Sequence, residues 1–181
     1  MGERVLITEV GLRDGLQNQP IPVSTADKLS LANALVAAGV QQLEAVSFVH
    51  PKAVPQMADA VEVLAGLPKR DGLGIAALVP NMKGYERARD NGVKQVAVVV
   101  STTDTFNLRN INMTVAQAME TCLSVIRQAR QDGIMVRGYV SGALACPYEG
   151  TTPVDVVHQL TEQLINGGAH EISIADTIGA G

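Results

Sequence analysis

The stretch Ile7-Thr8-Glu9-Val10-Gly11-Leu12-Arg13-Asp14-Gly15-Leu16-Gln17-Asn18 joins an apolar, β-branched run to an adjacent cation and anion flanked by glycines. Val5–Val10 reads as a buried strand, apolar but for Thr8 and Glu9, and Gly11 and Gly15 let the backbone turn sharply and approach a ligand. Arg13 and Asp14 then fall just past the strand's C-terminal end. Ligands of parallel α/β proteins bind at that end, so a guanidinium beside a carboxylate able to hold a hard metal ion points to chemistry on an anionic, oxygen-rich substrate. The dipeptide taken alone also fits a surface ion pair in a βα loop.

Outward from this segment one unit recurs: a short β-rich run, a loop, and an amphipathic helix ending at glycine. Six strands are predicted, Val5–Val10, Gln42–Ser47, Gly74–Val79, Gln95–Val100, Ile134–Val140 and Glu171–Ala175. The helices between them carry start and stop signals. Ser24 stands as N-cap before Leu29, Ala32, Leu35 and Val36, with Gly39 beyond the end; Thr114 and Gln117 have capping-box spacing, and Gly133 stops that helix. Thr152 is the expected cap of the fifth helix, with Pro153 at its first position and Gly167 after its last turn. Such alternation implies right-handed βαβ crossovers and a parallel sheet. No Gly-x-Gly-x-x-Gly follows the first strand and no Walker loop is present, which favours an α/β (β/α)8 TIM barrel over a dinucleotide-binding fold. A complete barrel takes about 250 residues. This chain has 181 and ends just after its sixth strand. The expectation is therefore a single partial barrel domain over residues 1–181, with about six of eight strands and two open sheet edges, completed by more of the same protein or by a second polypeptide.

Composition narrows the function. Hydrophobic residues make up 46%, charged residues 18%, and the net charge is −4, which describes a globular chain with a sizeable core and no basic footprint for nucleic acid or an anionic membrane. No apolar run is long enough to span a bilayer, and the early first strand leaves no room for a targeting peptide, so a cytoplasmic location is expected. Gly2 invites acylation, but Leu6 stands where Ser or Thr is required. Cys122, in a predicted helix, and Cys146, in a predicted loop, form neither a disulfide framework nor a zinc spacing.

The strand ends repeatedly offer polar groups. The first gives Arg13, Asp14 and Gln17; the second Glu44 and Ser47, then Phe48-Val49-His50-Pro51-Lys52; the third Pro80-Asn81. The fourth leads into Ser101-Thr102-Thr103-Asp104, the fifth carries Arg137, Tyr139 and Ser141, and the sixth ends in Asp176-Thr177. Convergence of this kind describes a binding or catalytic mouth, with Arg13, Asp14, Glu44, Asn81, Arg137 and Asp176 expected near the C-terminal rim. Glu44 stands out, because a carboxylate inside an apolar strand needs a partner.

Several segments, in order along the whole chain, resemble the hydroxymethylglutaryl-CoA lyase family: Glu9–Asn18, Glu44–Lys52, Val79-Pro80-Asn81-Met82-Lys83-Gly84, Asn110-Ile111-Asn112, Val136-Arg137-Gly138-Tyr139-Val140-Ser141, Ala145-Cys146-Pro147-Tyr148-Glu149-Gly150 and Ala175-Asp176-Thr177-Ile178-Gly179. The resemblance implies a divalent-metal-dependent retro-Claisen cleavage of 3-hydroxy-3-methylglutaryl-CoA to acetyl-CoA and acetoacetate, a step of leucine degradation and ketone-body formation. It implies Asp14 as a ligand of Mg²⁺ or Mn²⁺, Arg13 facing the thioester oxygen, and Glu44 orienting Arg13 or the metal's water shell. Gln17, Ser47, Arg137 and Tyr139 match substrate-binding positions, and Asp176 is a candidate for proton handling. The implied partners are an acyl-CoA substrate and, for the full-length enzyme, a second copy in a dimer, with neither nucleic acid nor membrane.

The family's His-x-His metal ligands, a later asparagine ligand and a late catalytic cysteine have no counterpart here. His50, His158 and His170 read as exposed or structural, and Cys146 as a loop cysteine without a nucleophilic role. The chain alone is thus expected to be incomplete for catalysis. Isopropylmalate, homocitrate and citramalate synthases share mainly the Arg13-Asp14 turn, so a condensing enzyme is the alternative, and a non-catalytic fragment a third reading.

Overall fold

A computed structural model of the chain describes residues 5–181; Gly2 lies outside them. Among the described residues the elements are β1 (Thr8–Glu9), a π-helical turn (Gly11–Gly15), α1 (Thr25–Ala37), β2 (Gln42–Ser47), a 3₁₀ turn (Pro55–Met57), α2 (Ala60–Gly66), β3 (Gly74–Leu78), α3 (Met82–Asp90), β4 (Gln95–Ser101), α4 (Asp104–Ile111), α5 (Val115–Gln131), β5 (Met135–Ser141), β6 (Ala145–Cys146), β7 (Gly150–Thr151), α6 (Val154–Gly167) and β8 (Glu171–Ala175). The strand order is β1-β2-β3-β4-β5-β8, sequential along the chain, as successive units of a (β/α) barrel require; β6 and β7 form a separate antiparallel pair. The fold is an α/β partial barrel. Its described residues gather into two compact units, residues 5–79 with 86–95, and residues 80–85 with 96–181.

In the first unit β2 runs parallel to both β1 and β3. Leu43, Ala45 and Val46 of β2, Ala32 and Val36 of α1, Ala60 and Val63 of α2, and Ala76 and Ala77 of β3 are all buried, and β2 lies against β3 and α2. The first strand is shorter than its composition predicts. Pairing begins at Thr8 opposite Gln42, where β2 itself starts, so Val5, Leu6 and Ile7 have no counterpart on β2 and stay exposed. At the other end the Val10 carbonyl accepts from Arg13 N–H (3.1 Å) and Asp14 N–H (2.7 Å) and ends the strand. The sequence also hides a buried lysine. Lys28 of α1 donates to the Gln56 carbonyl and to Asp59 Oδ1 (both 2.6 Å), and Thr25 donates to Asp59 Oδ2 (2.7 Å), which ties α1 to the loop after β2.

In the second unit β5 pairs parallel with β8, Arg137 opposite Glu171 through Ser141 opposite Ala175. The long α5 presents Ala118, Met119, Cys122, Val125, Ile126 and Ala129 as one buried stripe, at the spacing of an amphipathic helix. Its capping box forms as expected, with Gln117 N–H donating to Thr114 Oγ1 and Thr114 N–H to Gln117 Oε1. Ser24 likewise caps α1. Thr152 does not cap α6. Pro153 occupies that position, while the Thr152 hydroxyl donates to the Gly142 carbonyl (2.6 Å), which Thr102 Oγ1 also reaches (3.0 Å). A buried carbonyl that takes two hydroxyls competes better for that side chain than a solvent-facing helix start. Helix α6 runs through Gly167, and Gly168 takes the left-handed cap position. Ile174 on β8 is half exposed, the open-edge exposure expected of an incomplete sheet.

Candidate active site

The turn after β1 is a π-helical turn in which Leu16 N–H reaches back to the Gly11 carbonyl. Such turns are rare and cluster at functional positions. Gly11 N–H donates to Glu9 Oε1 at 2.6 Å, and a Cβ at this position would lie 2.8 Å from that same oxygen, so a larger residue would displace the Glu9 carboxylate. This geometry places Arg13 against β2. Glu44 Oε1 accepts from both Nε and Nη2 of Arg13 at 2.5 Å, and Asp14 Oδ1 accepts from Nη1 at 2.6 Å. The Glu44 side chain is 0% exposed and that of Arg13 10%, whereas that of Asp14 is 56% exposed. One guanidinium is therefore clamped from behind by a fully buried carboxylate and flanked by a second that faces solvent. That is the arrangement for holding a fixed positive charge beside an open oxygen donor.

Two more residues singled out by the sequence belong to this unit. Ser47, the last residue of β2, is completely buried and its Oγ has no hydrogen-bond partner; Gln17 Oε1 is likewise buried and unpartnered. Buried polar atoms left without partners in a native fold call for a ligand or ordered water. His50 turns inward on its own loop, its Nδ1 accepting from Lys52 N–H (3.2 Å).

In the second unit the expected rim residues separate. Asn81 follows β3 and caps α3, its Oδ1 accepting from Gly84 N–H (3.0 Å). Arg137 does not lie at the C-terminal end of its strand. It is the third residue of β5, paired with the first residue of β8, and donates through Nη2 to Glu171 Oε2 at 3.0 Å. The β-run predicted from Ile134 begins one residue later, and the carboxylate opposite Arg137 comes from the N-terminal end of its neighbour. Burial pulls the Arg137 pKa down, and hydrogen bonds to Glu171 and Tyr139 outweigh it, so the group sits above its ordinary value and stays charged. Asp176 does follow the end of β8, but its carboxylate closes the next turn, accepting from Ala180 N–H (2.8 Å) and Gly181 N–H (3.0 Å), which holds its pKa below the usual carboxylate range.

The two thiols are both free and buried. Burial pushes the Cys122 thiol up to about 12. Cys146 lies in strand β6 rather than a loop, buried, its Sγ 3.2 Å from Thr103 Oγ1 and accepting from Tyr148 N–H. Among the described residues no group of three or more His, Cys, Asp or Glu side chains could hold a metal ion. No helix among them is long and apolar enough to cross a membrane.

A parallel βα chain whose first strand delivers a clamped guanidinium and an exposed carboxylate to its C-terminal end is a partial (β/α) barrel with a polar cluster at one strand end. The chain belongs to the HMGL-like family, which matches residues 4–181. It is similar to the 3-hydroxy-3-isohexenylglutaryl-CoA/hydroxy-methylglutaryl-CoA lyase of Pseudomonas aeruginosa, 45% identical over 179 residues that make up 99% of this chain and 60% of the relative. Among solved structures it is similar to the HMG-CoA lyase from Brucella melitensis, with a TM-score of 0.96 and 47% identity over 99% of this chain and 64% of that one. It is also similar to an HMG-CoA lyase from Acinetobacter baumannii solved in complex with coenzyme A and 3-methylmalate, with a TM-score of 0.92 and 36% identity over 97% of this chain and 57% of that one. The chain thus spans about 60% of the curated relative's length.

Proposed function

We propose that the intact protein cleaves 3-hydroxy-3-methylglutaryl-CoA to acetyl-CoA and acetoacetate. The observation that carries this reading is the Arg13 guanidinium, immobilised by buried Glu44 and set beside the exposed carboxylate of Asp14, in a chain of the HMGL-like family. Similarity to lyases of that substrate, one of them holding coenzyme A, supports an acyl-CoA as the ligand.

Cleavage breaks the bond between C2 and C3. The 3-hydroxyl loses its proton and becomes the ketone of acetoacetate, while the electron pair of the broken bond becomes the thioester enolate, whose carbon then takes a proton to give acetyl-CoA. Arg13 stabilises the negative charge that gathers on the thioester oxygen. Glu44 holds the guanidinium in one orientation, so little reorganisation is needed when that charge appears. Asp176 keeps only the proton-handling role that the family resemblance implies; the N–H groups of its own turn hold its carboxylate below the usual range.

Asp14 engages Arg13 through Oδ1 only, and its exposed carboxylate leaves Oδ2 open to a hard divalent cation such as Mg²⁺ or Mn²⁺. Asp14 is the residue we assign to hold it. Bound there, such an ion supplies Lewis-acid polarisation that lowers the pKa of the substrate hydroxyl.

The test is acetyl-CoA release from 3-hydroxy-3-methylglutaryl-CoA by the intact protein, with Mg²⁺ and after chelation. Release that stops on chelation is expected. Consumption of acetyl-CoA with a 2-oxo acid, without cleavage, replaces this reading with that of a condensing enzyme.

A further inference from the structure

Aspartate or asparagine precedes glycine at five places in this chain: Asp14-Gly15, Asp71-Gly72, Asn91-Gly92, Asp132-Gly133 and Asn166-Gly167. Each pair holds the parts of a ring-closing reaction, because the glycine nitrogen can bond to the side-chain carbonyl carbon before it with no Cβ to crowd the approach. Whether it does so in the folded protein depends on what holds the two groups.

Four of the pairs are held. The Asp14 carboxylate accepts from Arg13 Nη1 (2.6 Å) within the π-helical turn Gly11–Gly15. Asn91 donates from Nδ2 to the Arg87 carbonyl (2.8 Å), and Gly92 N–H donates to the Arg89 carbonyl (2.9 Å). The Asp132 carboxylate accepts from the Tyr85 hydroxyl (2.6 Å) and Gln128 Nε2 (3.1 Å), while Gly133 N–H donates to the Arg130 carbonyl (3.4 Å). Asn166 and Gly167 belong to α6, where the helical ladder takes up the backbone N–H groups.

Asp71-Gly72 is different. The two residues form the tip of a reverse turn between α2 and β3, closed by Leu73 N–H donating to the Arg70 carbonyl (3.1 Å). Arg70 fixes the base of the turn through Nη1 to the Val36 carbonyl (2.9 Å). The tip itself is exposed, and among the described residues neither the Asp71 carboxylate nor the Gly72 N–H has a partner. Gly72 has a φ of 80°, and nothing lies within 4 Å of the place a Cβ would take. In a turn closed between its first and fourth residues the N–H of the third stays outside the closing bond, so both reacting groups meet only solvent.

We propose that the fold leaves Asp71 as a modification site, at which the native protein converts aspartate to isoaspartate. The Gly72 nitrogen bonds to Asp71 Cγ, and the amide hydrogen departs with the carboxyl hydroxyl as water. Water then opens the five-membered imide. Its addition at the Asp71 backbone carbonyl breaks the bond from that carbon to the Gly72 nitrogen, so the chain continues through the side chain and an α-carboxylate is set free. One water is lost and one gained, which leaves the mass unchanged and calls for no oxidant or cofactor. The product has one extra carbon in the backbone of a turn that leads into the start of β3, the end of the parallel strands opposite Arg13 and Asp14. The reaction goes beyond the lyase reading and does not depend on it.

The experiment holds the intact protein for weeks at neutral pH and physiological temperature, folded in buffer and unfolded in guanidinium chloride. The peptides carrying the five pairs are then separated and sequenced by electron-transfer fragmentation, which tells isoaspartate from aspartate. Asp71 is expected to react in the folded protein within about threefold of its unfolded rate, since an open loop tip costs almost nothing to deform. The other four pairs are expected to react at least about 10-fold more slowly folded than unfolded, because one or two hydrogen bonds must break first. Asp71→Glu keeps the charge but lengthens the side chain, so the five-membered ring cannot form and peptide 70–83 of this variant is expected to stay in one form. Protection of Asp71 equal to that of the other four overturns the proposal. Equal folded and unfolded rates at all five pairs overturn it as well, because the fold then selects nothing, and so does a second form of the peptide in Asp71→Glu.

Discussion

Two arginines in this chain meet carboxylates from a neighbouring strand or turn, and they are built differently. Arg13 is gripped by a Glu44 side chain with no exposure and flanked by Asp14; Arg137 meets Glu171, whose side chain is 49% exposed, and also bonds Tyr139. At Arg13 the counter-charge is behind the guanidinium and out of water, so the ion pair orients the cation toward whatever arrives in front. At Arg137 the counter-charge lies at the solvent-facing start of β8, where screening weakens it and the pair mainly registers one strand against the next. The same two residue types thus make a directed charge in one place and a fastener in the other, and the depth of the carboxylate decides which.

The contrast breaks first at Glu44. Glu44→Ala leaves the Arg13 guanidinium buried without its partner, and unfolding in urea is expected to show a loss of about 3–5 kcal/mol. A loss below about 1 kcal/mol means that Asp14 alone neutralises Arg13 and that Glu44 is not the clamp. Next is Arg13→Ala or Arg13→Gln. In the intact protein kcat is expected to fall about 10²–10³-fold, as for loss of a donor to a developing oxyanion, with KM changing much less. Arg13→Lys restores little, because an ammonium on a flexible stem cannot reproduce the planar fork that donates two bonds to one carboxylate oxygen. A lysine variant of near wild-type rate would show that charge alone matters.

Asp14→Asn sharpens the exposed side of the comparison. Calorimetry of the intact protein is expected to show Mg²⁺ or Mn²⁺ affinity reduced by more than about 10-fold, since residues that only orient a metal ligand already cost about that much. Unchanged affinity takes Asp14 out of any metal site. The smallest effect belongs to Glu171→Gln, expected to cost no more than about 1 kcal/mol, as half-exposed ion pairs do. A cost matching that of Glu44→Ala erases the distinction between the two pairs.

The sheet was legible because its strands are short β-branched runs bounded by glycine, and Gln42–Ser47 and Glu171–Ala175 match residue for residue. The first strand was overestimated because composition reports what a segment can do, while pairing depends on where the neighbour begins. Glu44 announced itself as a carboxylate among apolar residues, and Arg13 and Asp14 as adjacent opposite charges between glycines. The placement of Arg137 was not legible: a strand residue's height in the sheet depends on register, which no local pattern encodes. Asn107, whose side chain bonds both backbone groups of Ser101, was also out of reach, since a six-residue side-chain-to-backbone closure carries no periodic signal. Lys28 was masked for a related reason, because its partners Gln56 and Asp59 come from a distant loop.

At the start of β8, His170 N–H donates to the Val136 carbonyl (2.8 Å), and Val136 N–H donates in return to the His170 imidazole at Nδ1 (3.1 Å). A ring nitrogen stands in for a backbone carbonyl and adds one rung to the ladder between β5 and β8. Only a lone pair on Nδ1 can do so, which puts the ring proton on Nε2. The tautomer of a single histidine is thereby tied to the alignment of two strands. Nitrogen NMR of that one ring, sensitive to which atom carries the proton, would then serve as a spectroscopic gauge of whether those strands are in register, and would follow their separation during unfolding without any label added to the protein.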